Sequence, residues 1–90
     1  MKRNPDFLLR HVADTIVIVP VGKATAGFPG MITLNETGAY LWEQLESDQT
    51  VDSLTQALTA CYEVDEATAR RDATAFVDRL LPTGAILDIQ

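Results

Sequence analysis

Gly30-Met31-Ile32-Thr33-Leu34-Asn35-Glu36-Thr37-Gly38-Ala39-Tyr40-Leu41-Trp42-Glu43-Gln44-Leu45 changes its hydrophobic period in mid-course, and that change decides the fold. Met31 to Leu34 is a short β-prone run, in which alternation puts Ile32 and Leu34 on one face and Met31 and Thr33 on the other. Leu34 is read as inward, because its neighbour Asn35 must cap a helix. Asn is a strong N-cap residue, since its side-chain oxygen can accept from free N–H groups of a first helical turn. Glu36 then sets negative charge where the helix dipole favours it. Beyond the cap, Ala39, Trp42 and Leu45 recur three apart and place the one Trp of the chain on an apolar helix face. A strand that passes through a cap into a Trp-bearing helix joins a sheet to a helical layer, with a shared core around Trp42.

Upstream, Phe7 to Val12 forms a first β-prone run after a flexible start that contains Pro5. Ala13-Asp14 supplies a short turn, and Thr15 to Val21 is the strongest strand of the chain, rich in β-branched residues. Their separation suits an antiparallel hairpin. Gly22 to Gly30 holds Gly22, Gly27, Pro29 and Gly30 and reads as a mobile loop. Successive strands with short connections predict an antiparallel meander.

Downstream the chain is helical. A first helix is predicted over Glu36–Glu46, then a polar break at Ser47-Asp48-Gln49, with Thr50 as the next cap. Val51, Leu54, Ala57, Leu58 and Cys61 form the expected buried stripe of a second helix. Asp65 caps a third, over Glu66–Leu81, with Val64 as a hydrophobic staple. Ala69, Ala73, Phe76, Val77, Leu80 and Leu81 make its apolar side, and Pro82 and Gly84 end it. Ala85 to Ile89 is β-prone again, either a short strand or apolar packing on the core. The predicted class is α+β, winged-helix-like: a three-stranded antiparallel sheet followed by three helices, in one domain over residues 1–90.

A chain of 90 residues buries only roughly 60–68% of its unfolded surface, which makes a partner easy to accommodate. Ile16 to Val21, its longest apolar run, is broken by Pro20 and falls far short of the ~20 residues of a membrane span. Lys2 and Arg3 are not followed by the apolar run of a signal peptide, and the single Cys61 fits a reducing compartment. A cytoplasmic protein with no membrane contact is expected. A net charge of −6 repels nucleic-acid phosphates, and Arg70, Arg71 and Arg79 sit among Asp65, Glu66, Asp72 and Asp78.

Catalytic chemistry finds little support. His11 lies in the first strand and Cys61 on a predicted buried stripe, so a Cys–His nucleophile pair is not expected. The glycines form no phosphate cradle, and no metal-ligand spacing occurs. No enzyme activity, cofactor or metal is expected. Asp72 stands out, because it lies beside Ala69, Ala73 and Phe76 and needs a partner: a backbone N–H, Arg71, Arg79 or a bound group. The remaining opportunity is a sheet edge, whose unpaired groups can accept an extended peptide. If the strand at Met31–Leu34 lies at that edge with the third helix alongside, the two wall a groove.

Leu34-Asn35, Gly38-Ala39, Trp42 and Leu45, then Thr50, Leu54, Leu58, Tyr62-Glu63-Val64, Asp72, Phe76, Leu80 and Gly84, resemble the pyrroloquinoline quinone biosynthesis protein D (PqqD) family. The likeness runs from Phe7-Leu8-Leu9-Arg10 to Gly84-Ala85-Ile86 and is most specific from Leu34 to Trp42, joined to Asp72 and Phe76. It implies a non-catalytic domain that binds the leader region of a ribosomally made precursor peptide. Such a domain presents the leader to a modifying enzyme, often a radical S-adenosylmethionine (SAM) protein. It further implies a guest strand along Gly30, Met31, Ile32, Thr33 and Leu34, meeting Ala69, Asp72, Ala73 and Phe76. Nothing in the residues points to pyrroloquinoline quinone itself. A winged-helix DNA-binding regulator is the alternative, opposed by the acidic balance. A homodimer through a sheet edge is a further expectation.

Overall fold

The computed structural model describes residues 1–22 and 30–88. The interior of the expected Gly22–Gly30 loop, and Ile89 of the tail, lie outside the described residues. In chain order the elements are strands β1 (Lys2–Arg3), β2 (Phe7–Val12), β3 (Thr15–Pro20) and β4 (Ile32–Leu34), helices α1 (Glu36–Gln44), α2 (Val51–Cys61) and α3 (Glu66–Leu80), a 3₁₀ turn over Leu81–Thr83, and strand β5 (Ile86–Leu87).

β2, β3 and β4 form the expected antiparallel meander in that spatial order. Phe7 lies opposite Pro20 and Val12 opposite Thr15, so Ala13-Asp14 is the entire hairpin connection. Ala13 takes φ of +55°, the left-handed conformation that a two-residue turn demands and that alanine adopts at a cost. β4 pairs with β3 from Ile32 opposite Ile18 to Leu34 opposite Ile16. Pro20, which has no N–H to give, falls beyond that ladder.

The three helix caps form as the side chains dictate. Asn35 Oδ1 accepts from the Gly38 amide at 2.7 Å, and Asp65 Oδ1 from the Thr68 amide at 2.8 Å. Thr50 and Ser53 form a reciprocal box, each hydroxyl accepting from the other's amide, at 3.0 and 2.8 Å. Gly84, with φ of +84°, closes the 3₁₀ turn that ends the helical region. Trp42 is 2% exposed and packs in one core with Ile18, Leu45, Leu58 and Leu80. Among the described residues no helix is long and apolar enough to cross a membrane.

Three local expectations are corrected. The flexible start is instead a strand: Lys2 lies opposite Leu87 and Arg3 opposite Ile86, and the Arg3 amide donates to Leu45 O at 2.9 Å. A two-residue strand carries no period, and its partner lies at the other end of the chain. Cys61 is exposed, whereas Thr55 is fully buried. Cys61 is the last residue of α2, and its thiol lies beside the Tyr40 hydroxyl rather than in the core. Tyr62 and Tyr40 fill that end edge to face, with ring centroids 5.6 Å apart. Thr55 enters the core because its hydroxyl donates to Val51 O at 2.7 Å. Val64 is exposed and not tucked in as a staple.

Candidate functional site

Among the described residues β4 is an edge strand, with β3 on one side and no strand on the other. Alternate N–H and C=O groups of such a strand point away from the sheet. Among the described residues no backbone hydrogen bond joins β4 to any element but β3. The tail, which could have covered this edge, pairs with β1 instead.

The alternation read along this strand holds in three dimensions. Ile32 and Leu34 are buried, while Met31 is 59% exposed and Gly30 and Thr33 are also exposed. α3 reaches this edge through Phe76. A Cβ built on Gly38 would lie 3.4 Å from Leu34 Cδ2 and 3.4 Å from Phe76 Cε1. Strand, cap and helix therefore meet at one point, and the missing side chain of Gly38 permits it.

The α3 residues divide into floor and rim. Ala69 and Ala73 are fully buried and offer no surface to a docked chain, but their small side chains let α3 pack closely on the core. Phe76 is 8% exposed. Asp72 is on the rim, its side chain 47% exposed, and the acid finds one of its expected partners, Arg71 Nε at 3.8 Å. With Ala75, and with Asn35, Thr37, Gly38 and Leu41 of the α1 N-terminal region, Asp72 lines a cavity of about 220 Å³. Periodicity does not single out Thr37 or Ala75. A glycine inside a helical pattern, as at Gly38, is the one sequence signal that a close approach occurs there.

The cations of α3 are largely engaged. The Arg70 guanidinium pairs with Asp52 of α2 and with Glu66 one turn back at 3.3 Å, and these hydrogen bonds hold its pKa above the ordinary arginine value. With Arg71 on Asp72, Arg79 is left as the one basic residue of α3 without an ion pair among the described residues. The helix therefore presents no basic stripe for a phosphate backbone. His11 is exposed on β2 and Cys61 on α2. Among the described residues no three His, Cys, Asp or Glu side chains are placed to hold a metal ion.

An antiparallel meander leading into three helices, with the last strand open beside the last helix, defines a winged-helix-like α+β domain built around an accessible strand edge. The chain belongs to the family described as coenzyme PQQ synthesis protein D (PqqD), whose model matches residues 15–86. Among solved structures it is similar to TbiB1 in complex with the TbiA(beta) leader peptide. That match has a TM-score of 0.74 at 22% identity and covers 100% of this chain and 99% of the other, a likeness of fold. It is also similar to a lasso peptide synthetase B1 complexed with the leader peptide, with a TM-score of 0.71 at 26% identity over 96% of this chain and 95% of the other. No curated protein matches the chain at a significant level.

Proposed function

We propose that this chain binds the leader region of a ribosomally synthesised precursor peptide by strand addition to β4 and presents it to a modifying enzyme. The observation that carries this reading is the open β4 edge beside α3, in a chain similar over nearly its whole length to a protein solved with a leader peptide. The guest backbone pairs with Gly30–Leu34, and its alternate side chains lie over Met31 and Thr33 on one face and toward Phe76 and Asp72 on the other. Ala69 and Ala73 support that wall from behind. The protein itself is a non-catalytic adaptor, and a radical SAM enzyme is the partner that the family resemblance implies. Nothing favours the DNA-binding alternative, since the overall charge is −6 and α3 pairs its cations with acids.

Titration of the protein with the precursor peptides encoded beside its gene, followed by backbone amide shifts, tests the reading. The largest changes are expected from Gly30 to Leu34 and around Asp72 and Phe76. Changes confined to α2, or none with any of those peptides, would overturn it.

A further inference from the structure

β4 is one edge of the three-stranded sheet, and β2 is the other. Along β2 runs a groove of about 540 Å³, whose strand wall consists of four consecutive residues, Phe7 to Arg10. Successive side chains of a strand point to opposite faces, so a groove touched by both sets follows the strand's edge. The opposite wall is α1, through Trp42 and Glu43, with Glu46 just past its C-terminal end, and β1 contributes Lys2 and Arg3. Among the described residues no backbone–backbone hydrogen bond joins Leu8–Val12 to any element but β3. The molecule thus carries a second strand edge beside a helix, separated from the first by β3.

Its charge sets this groove apart. The chain has seven Lys and Arg residues against thirteen Asp and Glu, yet three of the seven, Lys2, Arg3 and Arg10, line this one groove. Facing them are two acids, Glu43 and Glu46, and none of the five has an ion-pair partner among the described residues. The two arginines reach only carbonyls, Trp42 O at 3.5 Å from Arg3 and Leu9 O at 3.3 Å from Arg10.

We propose that this groove docks an extended acidic segment of the modifying enzyme, added as a strand to β2 while the leader occupies β4. The identity of the partner rests on the leader-binding reading; the groove and its charge do not. An acidic segment is repelled by a surface of net negative charge and steered to this groove, whose lining holds three cations against two acids. Strand addition then sorts its side chains. One row, spaced about 6.6–6.8 Å, brings carboxylates to Lys2, Arg3 and Arg10, and the other row brings basic or apolar groups to Glu43, Glu46 and the Trp42 floor. A nucleic-acid strand, anionic along its whole backbone, meets Glu43 and Glu46 on the far wall and fits less well. Two edges some 10 Å apart, with β3 between them, let one small domain hold guest and enzyme together.

The test uses the purified peptide-modifying enzyme encoded beside the gene as probe, against the full chain and its Arg10→Glu and Lys2→Glu variants. Both side chains are exposed or at the rim, and amide spectra confirm that the variants fold. Each reversal is expected to weaken enzyme binding by about tenfold or more, with wild-type affinity falling steeply in salt and leader affinity staying within about twofold. Enzyme affinity unchanged in both variants, or enzyme and leader competing for the protein, would overturn the proposal. So would binding of a DNA duplex that the same reversals abolish, which would assign the groove to nucleic acid. If the leader fails to bind while Arg10-dependent enzyme docking persists, the leader reading fails and the groove stands. If the leader binds and the enzyme ignores the reversals, the converse holds.

Discussion

Replacing Gly38 by alanine sets helix propensity against packing. Gly38 is the third residue of α1, and a helical glycine costs about 1 kcal/mol relative to alanine, so on an isolated helix the change would stabilise. In this fold the new Cβ would stand 3.3 Å from Asn35 Oδ1 and 3.4 Å from both Leu34 Cδ2 and Phe76 Cε1. Comfortable carbon–carbon contacts lie at about 3.5–4.0 Å. None of the three neighbours moves freely: Asn35 Oδ1 is held by the amide of Gly38 itself at 2.7 Å, and Leu34 and Phe76 are buried. Loosening the cap costs about 0.5–2 kcal/mol, and overpacking a core by one methyl group about 1–3 kcal/mol. These losses outweigh the propensity gain, and a net destabilisation of about 1–3 kcal/mol is expected. In a domain of this size each kcal/mol lowers Tm by about 4–8 °C. The same displacement shifts Phe76 and Leu34 under the β4 groove, so leader affinity falls with stability. Thermal unfolding followed by circular dichroism, with a parallel leader titration, reads both effects. A Gly38→Ala protein with a raised Tm would show that Leu34 and Phe76 have room to yield, and would refute the close three-way contact.

Trp42→Ala removes a core aromatic that is 2% exposed, at a cost of about 3–5 kcal/mol, and an unchanged urea midpoint would show that Trp42 does not hold the two layers together. Asp72→Asn is expected to leave Tm nearly unchanged, because an exposed pair such as Asp72–Arg71 contributes only about 0–1 kcal/mol, while leader affinity drops. Equal loss of stability and binding would make Asp72 a structural residue. The Asp65 carboxyl is held below the usual aspartate range, chiefly by hydrogen bonding to Thr68. A depressed folded pKa contributes stability above the unfolded value of about 3.9, and that stability is lost as pH falls through the lower folded value. Melts across about pH 2–7 should therefore show an acid limb that Asp65→Asn flattens, while near neutrality the Asn cap serves almost as well. An identical acid limb in the variant would remove Asp65 from the account.

The parts of this fold that the sequence made legible are those governed by chemistry within a few residues. Asn35, Thr50 and Asp65 were readable as caps because each accepts from an amide three positions ahead. The inward set of β4 was readable because a strand alternates. Periodicity also put Ala69 and Ala73 on the apolar side of α3, but a period cannot distinguish the floor of a groove from its rim. Only packing shows that these two are enclosed while Asp72 and Ala75 line the cavity beside them. The β1–β5 pairing, which sets Lys2 against Leu87, has no local signature at all. The β2 groove was hidden for the same reason, since its charged walls come from β1, β2 and α1.

That long-range pairing also explains why Ile86–Leu87 does not cover the β4 edge, which has no second strand partner among the described residues. Exposed strand edges invite self-association, and many proteins cover them. Here the available cover, Ile86–Leu87, is committed to β1, and the start of the chain is tied to the end of α1 by the Arg3 amide on Leu45 O. β4 is instead protected by being only three residues long, and each copy carries a charge of −6 that opposes another. A homodimer through β4 would have to form on that short ladder against like charge, and it would occupy the groups a leader needs. On the proposed reading a leader pairs with the same groups and adds side-chain contacts at α3. What separates the two partners is therefore not the ladder, which both would use, but the like charge between copies and the helix that lies beside the edge.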